Sequence, residues 1–187
     1  MGSPTTNQFL SDTERLLASP RNITATLQNV ARATVPHLAD FCLIFLVRSN
    51  GLPCVACAHT TREGERLLRG LNRVYKITRD SPESTVADVV RTGRAHVRRE
   101  IGAEPDTSRT DPQVLALHRQ LGPRSALVVP IGVAPNVLGA ITLAYTSSGR
   151  HYTALDLPVA RRLATLVAAS LGQPARRLIR LRARVRA

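Results

Sequence analysis

"RSALVVPIGVAPNVLGAITLAY", residues Arg124 to Tyr145, is the most strongly patterned stretch of the chain. It reads as two strands joined at Ala134-Pro135-Asn136. Leu127 and Val129 share one face of the first strand, and Val128 and Pro130 share the other. Pro130 has no N–H to give to a ladder, so it marks an edge, a bulge or a strand end. Gly139, inside the return strand, marks a bulge or a close approach of another backbone. The hairpin holds no plausible catalyst.

Working outward, Phe41 to Val47 is a continuous apolar run, the pattern of a strand buried on both faces. Ser49-Asn50-Gly51 turns it back into Leu52–His59. Upstream, Phe9, Thr13, Leu16 and Leu17 repeat at helical spacing, and Ser19-Pro20 stops that helix. Asn22 caps a second helix carrying Ile23, Leu27, Val30 and Ala31, which Pro36 is expected to end. Arg62 to Val74 predicts a helix with Leu67, Leu68 and Leu71 as its apolar side. Pro82 opens a helix over Glu83 to Arg91, closed by Thr92-Gly93, and Ala95 to Arg98 is a short strand. After a polar loop from Ile101 to Thr110, Asp111-Pro112 starts a helix that Gly122-Pro123 ends. Beyond Gly149 a last long helix bears Leu155, Val159, Leu163, Leu166 and Leu171. Helices at both ends of a mostly antiparallel sheet predict an α+β fold, with the N- and C-terminal helices packed together.

Composition narrows the class. A chain of 187 residues with 43% hydrophobic content suits one soluble domain. No apolar run approaches the ~18 residues of a membrane span. The N-terminal residues show neither a basic nor an apolar signal region, so a cytoplasmic protein is expected. Three cysteines are an odd count and give no self-contained disulfide framework. Cys54 and Cys57 form a C-x-x-C, but the strand pattern there is expected to point their sulfurs to opposite faces, as small buried hydrophobes. No second ligand pair accompanies them, and the five histidines (37, 59, 96, 118 and 151) are scattered singly, so no metal is expected. Neither a Ser-His-Asp grouping, an acid pair nor a phosphate-cradling Gly-rich loop is visible, and no catalytic residue is assigned.

The formal net charge of +13 is partly a property of the tail. Six arginines fall in Gln173 to Ala187, which holds no acid, leaving 20 basic against 13 acidic residues elsewhere. The tail invites a polyanion reading with salt-sensitive affinity, but no aromatic residue interleaves its arginines to stack on bases. If helical, it places Leu178, Leu181 and Val185 on one stripe, as a linker or partner-contact helix would.

Four stretches together resemble a GAF domain, the small-molecule-binding module of signalling proteins. They are Leu38-Ala-Asp-Phe-Cys42, Val86-Ala-Asp-Val-Val-Arg-Thr-Gly93, the hairpin preceded by Leu121-Gly-Pro, and Tyr152 to Ala169. The flavour is that found beside bacterial histidine kinases and serine/threonine phosphatases. The resemblance implies that the hairpin is the sheet floor of a ligand pocket, mostly scaffold. It divides the chain into a disordered N-terminus (1–8), the domain (9–171) and an Arg-rich helical extension (172–187).

The specialised branches of that family need residues this chain lacks. Cyclic-nucleotide binders carry an Asn-Lys pair and a Phe-x-x-x-Asp-Glu signature. Here Ser147 and Ser148 stand for the pair, and Tyr152 and Asp156 keep the spacing with Leu157 for the Glu. Thr153 and Asp156 also fit a capping box, with Pro158 close enough to shift or kink the helix start. Bilin binders need a Cys-His pair where Gln113 and Val114 stand. Free methionine-sulfoxide reductases need a pocket thiolate, where this chain has Ser84 and Thr85.

The resemblance therefore implies a non-enzymatic sensory or regulatory domain with no assigned cofactor. Its pocket candidates are Phe45, Cys57, His59, Val86, Val89, Arg94, His118, Arg124, Ala126 and Val128, with Arg94 and Arg124 favoured for an anionic group. Expected partners are a small-molecule ligand, a second copy through the terminal helices, and a histidine kinase or phosphatase for output, since no output domain is visible in the sequence. Weak polyanion contact through the tail is the further expectation. The alternatives are a basic-tailed nucleic-acid-associated regulator and a thiol redox enzyme.

Overall fold

The protein is represented by a computed structural model that describes residues 4–18, 22–102 and 111–184. The expected stop at Ser19-Pro20, most of the polar loop (103–110), and the tail's last residues with Val185 lie outside the described residues.

Strands β1 (Phe41–Leu46), β2 (Cys54–His59), β3 (His96–Arg98), β4 (Ser125–Val133) and β5 (Asn136–Tyr145) form one antiparallel sheet, ordered β2-β1-β5-β4-β3. Helices α1 (Pro4–Leu17), α2 (Ile23–Leu38) and α6 (Leu157–Arg184) cover one face. Helices α3 (Arg62–Val74), α4 (Thr85–Thr92) and α5 (Pro112–Leu121) cover the other. The apolar run of β1 is explained by this sandwich. Cys42, Ile44 and Leu46 pack toward α1, α2 and α6, and Phe41, Leu43 and Phe45 toward the opposite helices. In the hairpin, Leu127, Val129 and Ile131 join the first set and Val128 the second. Each large apolar side chain buried this way contributes about 1.5–3 kcal/mol of transfer free energy. The terminal helices meet through α1, which packs on both α2 and α6.

Gly139 shows why a glycine sits in the central strand. It pairs with Leu46, and a Cβ there would overlap the Phe45 carbonyl oxygen and stand 3.0 Å from the Leu46 Cα. Pro130 pairs with Ala140 of β5 but lies past Val128, the last residue of β4 with a partner in β3. A second irregularity falls between Ile131 and Gly132, next to the turn. On the other edge of the sheet, the Gln28 amide does what a neighbouring strand would do. Its Nε2 donates to the Cys57 carbonyl (2.6 Å) and its Oε1 accepts from the Cys57 N–H (3.2 Å).

Several local expectations are corrected. Helix α1 begins at Pro4, ahead of the boundary read at Phe9 and within the stretch (1–8) expected to be disordered. Helix α2 runs through Pro36 to Leu38, because the Ala39 N–H still closes the last turn on the Val35 carbonyl. Ser84 caps α4, so the helix starts two residues later than Pro82-Glu83 suggested. The Thr153–Asp156 capping box is present but closes a 3-10 turn, and α6 follows from Leu157 with Pro158 in its first turn, where a missing N–H costs nothing. Leu155 belongs to that turn and is 89% exposed, not part of the buried stripe. Leu16 is likewise largely exposed.

The cysteine geometry is the instructive correction. Phe45 pairs with Cys54 but Ile44 pairs with Ala56, so Val55 is an extra residue bulged out of the ladder. One inserted residue reverses the alternation, and Cys54 and Cys57 both end on the α3-side face of the sheet.

Candidate ligand cavity

Between the sheet and α3, α4 and α5 lies a cavity of about 520 Å³, within the ~300–1,000 Å³ range of small-molecule sites. Its floor is the alternate positions of three strands: Phe41, Leu43 and Phe45 of β1, Ala126 and Val128 of β4, Thr142 and Ala144 of β5. The small residues of β4 and β5 leave the space that larger side chains would fill. Walls come from Leu71, Tyr75 and Ile77 at the end of α3, Val86 of α4, and Val114, Leu115 and Leu121 of α5. These walls are held by ordinary caps. The Ser84 Oγ accepts from the Ala87 N–H (3.3 Å), and Asp111 Oδ1 accepts from the Gln113 N–H (2.7 Å). The Leu52 N–H ties the segment after α3 to the sheet by donating to the Ile77 carbonyl (2.8 Å).

Asn72, Glu83, Ser84 and Thr85 bring polar groups to the α3–α4 side, and a second polar set stands at the β3–α5 end. In the β3–β4 register, His96 faces Val128 and Arg98 faces Ala126, so both lie on the cavity side of the edge strand. His118 reaches the same end from α5. Burial, seconded by the Arg98 charge, lowers the His118 pKa, which keeps its imidazole neutral near pH 7. On the floor, the Thr142 Oγ1 is buried without a hydrogen-bond partner, a polar atom left over in an apolar surface.

The ten sequence candidates divide on this geometry. Phe45, Val86, His118, Ala126 and Val128 line the cavity. Val89 is fully buried in the core beneath α4. Arg94 lies outside the cavity lining, exposed in the link between α4 and β3. His59 and Arg124 line a separate open groove with the start of α3. There the His59 Nδ1 accepts from the Thr61 N–H (3.0 Å), and its ring stacks on Phe41 and abuts Gly64, where no Cβ fits. Arg124 also lines a third groove, with Arg119 and His151, that shares Glu100, Ile101, Gly102, His118 and Pro123 with the cavity. The rim residues His96, Arg98, Asn72 and Ser84 were not anticipated. The i, i+2 alternation of β1 could have added Phe41 and Leu43 to Phe45.

None of the three cysteines lines the cavity. Burial pushes the Cys54 thiol up to about 12 and raises the half-buried Cys57 as well. Fully buried Cys42 is raised further by the same cause. Such thiols stay protonated and are poor nucleophiles near neutral pH. Among the described residues no cluster of three His, Cys, Asp or Glu side chains is arranged to hold a metal ion. Nor is any described helix long and apolar enough to cross a membrane.

A polar chain runs from the cavity rim to α6. The fully buried Ser125 donates its hydroxyl to the Arg98 carbonyl (2.9 Å) and accepts from the Tyr152 N–H (2.9 Å). Tyr152 stacks on Tyr145, and its hydroxyl donates to the Leu38 carbonyl at the end of α2 (2.6 Å). Arg150 covers the Tyr145 ring and approaches Asp40 (3.4 Å). Burial alone would raise the Asp40 carboxyl. The Thr146 and Ser148 donors together outweigh it and hold the pKa below its ordinary value.

Comparison with known proteins agrees with this architecture. The sequence pattern described as GAF domain matches residues 22–171. Among curated proteins none matches the sequence significantly. Among solved structures, the GAF domain from a phosphoenolpyruvate-protein phosphotransferase of Coxiella burnetii superposes with a TM-score of 0.69 at 14% identity, covering 92% of this chain and 95% of that one. Residues 122 to 287 of a methyl-accepting chemotaxis protein give 0.66 at 15% identity, covering 86% and 95%. The reduced form of fRMsr from Staphylococcus aureus gives 0.62 at 13% identity, covering 89% and 94%.

Proposed function

Because the chain belongs to the GAF domain family, we propose that it is a non-enzymatic sensory or regulatory module of bacterial signal transduction, acting in the cytoplasm. It takes a small molecule into the cavity between the sheet and α3–α5. The observation that carries this reading is the cavity itself: about 520 Å³, floored by mostly apolar strand positions and edged by polar groups. The placement of all three thiols outside its lining, with raised pKa values, supports a binding role over thiol chemistry.

Occupancy of the cavity would bias the arrangement of the terminal helices. The Ser125 bridge offers a route, since it joins the β3 backbone at the rim to the turn that launches α6. The exit is α1 and α6, through which a second copy or an output partner such as a histidine kinase or phosphatase would be contacted. Weak polyanion contact through the Arg-rich end of α6 is compatible with that arrangement.

A thermal-shift screen of nucleotides, tetrapyrroles and amino acids tests the reading. A ligand at 100 times its Kd adds about 2.7 kcal/mol to stability, a rise of several degrees in Tm for a domain of this size. A screen in which no compound moves the Tm would replace ligand sensing with a pure protein-interaction role.

A further inference from the structure

The cavity does not end in neutral surroundings. Its mouth, at Glu100, Ile101, Gly102, His118 and Pro123, opens onto the groove lined by Arg119, Arg124 and His151. Around this junction stand Arg98, Arg119 and Arg124, together with the imidazoles of His96, His118 and His151. Among the described residues none of the three arginines is in an ion pair. Among the described residues, Glu100 is the one carboxylate shared by the two spaces, against Arg98, Arg119 and Arg124. Glu83, the other acid on the cavity wall, already has an interaction of its own. Away from the mouth the strand floor is apolar, with Phe41, Leu43, Phe45 and Val128, while Asn72, Glu83, Ser84 and Thr85 line the wall among Leu71, Tyr75 and Val86.

We propose that the cavity selects an amphipathic anion: a ring or branched apolar body seated on the β1–β4–β5 floor, with a carboxylate, sulfonate or phosphate at the mouth held by Arg98 and Arg119. This rests on the reading of the cavity as a ligand site and adds the charge and orientation of what enters it. An apolar neutral molecule would leave three arginine charges unused. A compact inorganic anion would leave the floor uncovered. The amphipathic anion matches both ends of the lining. Arg124 contributes from farther along the groove, as a long-range charge.

The test uses two fluorescent probes of similar shape and opposite character on the full chain. One is 1-anilinonaphthalene-8-sulfonate; the other is uncharged N-phenyl-1-naphthylamine. Wild-type protein should bind the sulfonate more tightly. Exposed charges contribute up to about 1 kcal/mol each, so Arg98→Gln should weaken the sulfonate about two- to fivefold, and R98Q/R119Q about tenfold. The neutral probe should stay within about twofold in both variants, and Arg94→Gln, outside the lining, should change neither probe by more than that. Ala126→Trp, which fills the floor, should abolish both signals. Should that variant lose its cooperative urea transition, Leu115→Trp on the α5 wall replaces it. If the neutral probe is excluded by the blocking variant but the arginine variants leave the sulfonate unchanged, the anion preference is wrong and the ligand cavity stands. If R94Q weakens the sulfonate as much as R98Q, the effect is diffuse surface charge and the proposal also fails. If the blocked protein binds both probes as the wild type does, the ligand reading of the cavity falls with it.

Discussion

Replacing Ser125 by alanine isolates the link between the cavity rim and the last helix. The residue is fully buried, and its hydroxyl makes two bonds, one to the Arg98 carbonyl and one from the Tyr152 N–H. The two losses are unequal. The part-buried bond to the Arg98 carbonyl on the edge strand is worth about 0.5–1.5 kcal/mol. Tyr152 is 1% exposed, and its N–H would be left buried without an acceptor, at about 1–3 kcal/mol. The expected destabilisation is about 2–4 kcal/mol, or about 5–15 °C in Tm for a chain of this length. Urea unfolding should show a lower midpoint with an unchanged slope, which marks a stability change and not a change of state. Amide exchange should show faster loss at Tyr152 and Thr153 than in the strands of the hairpin. A variant within about 0.5 kcal/mol of wild type, with the Tyr152 amide still protected, would refute the idea that Ser125 holds α6 to the sheet.

Acidification should weaken the fold in two separate steps. Burial lowers the pKa values of His59 and His118 below the ordinary 6.5, with Asp40 and Glu65 partly opposing the shift at His59 and Arg98 reinforcing it at His118. The unfolded chain therefore binds more protons, and stability complete above pH 6.5 declines as pH falls below it; a His59→Gln/His118→Gln protein should show a flatter profile in that window. The depressed Asp40 carboxyl adds its own loss only below its ordinary 3.8, and that second step should survive in the double variant. Gly139→Ala should destabilise by about 3 kcal/mol or more, because its Cβ meets backbone of β1 that cannot rotate away. Urea midpoints measure it, and a loss under about 1 kcal/mol would mean the two central strands slide apart easily.

Much of the architecture is written in local pattern. The alternation of the Arg124–Tyr145 hairpin, the apolar run of β1, and the caps Asn22, Asp111 and Thr153 each act within a few residues. Their physics is short-range, and the sequence displays it directly. The Val55 bulge is different, because one extra residue in a ladder depends on what the partner strand does at Phe45. Reading Leu52–His59 as a regular strand sent the two sulfurs to opposite faces for that reason. The site divides in the same way. Floor positions follow from parity along single strands, so Phe45, Ala126 and Val128 were accessible. The rim depends on how β3 registers against β4 and how α5 crosses above it. Arg98 therefore lines the cavity, whereas Arg94, four residues earlier and outside the strand, does not. Val89 is apolar and correctly spaced, yet helix α4 turns it into the core.

The two borders of the sheet limit how copies of this protein can join. On one side, the Val55 bulge breaks the ladder, and the Gln28 amide occupies both backbone groups of Cys57. On the other, β3 is three residues long, and beyond it Pro130 has no N–H to present. Neither border offers an uninterrupted row of free donors and acceptors on which a strand from another chain could be templated. The sheet is thereby closed to growth without being a barrel. A second molecule that approaches edge-on finds no register to continue, which guards the apolar β1 and β4 segments against runaway cross-chain pairing.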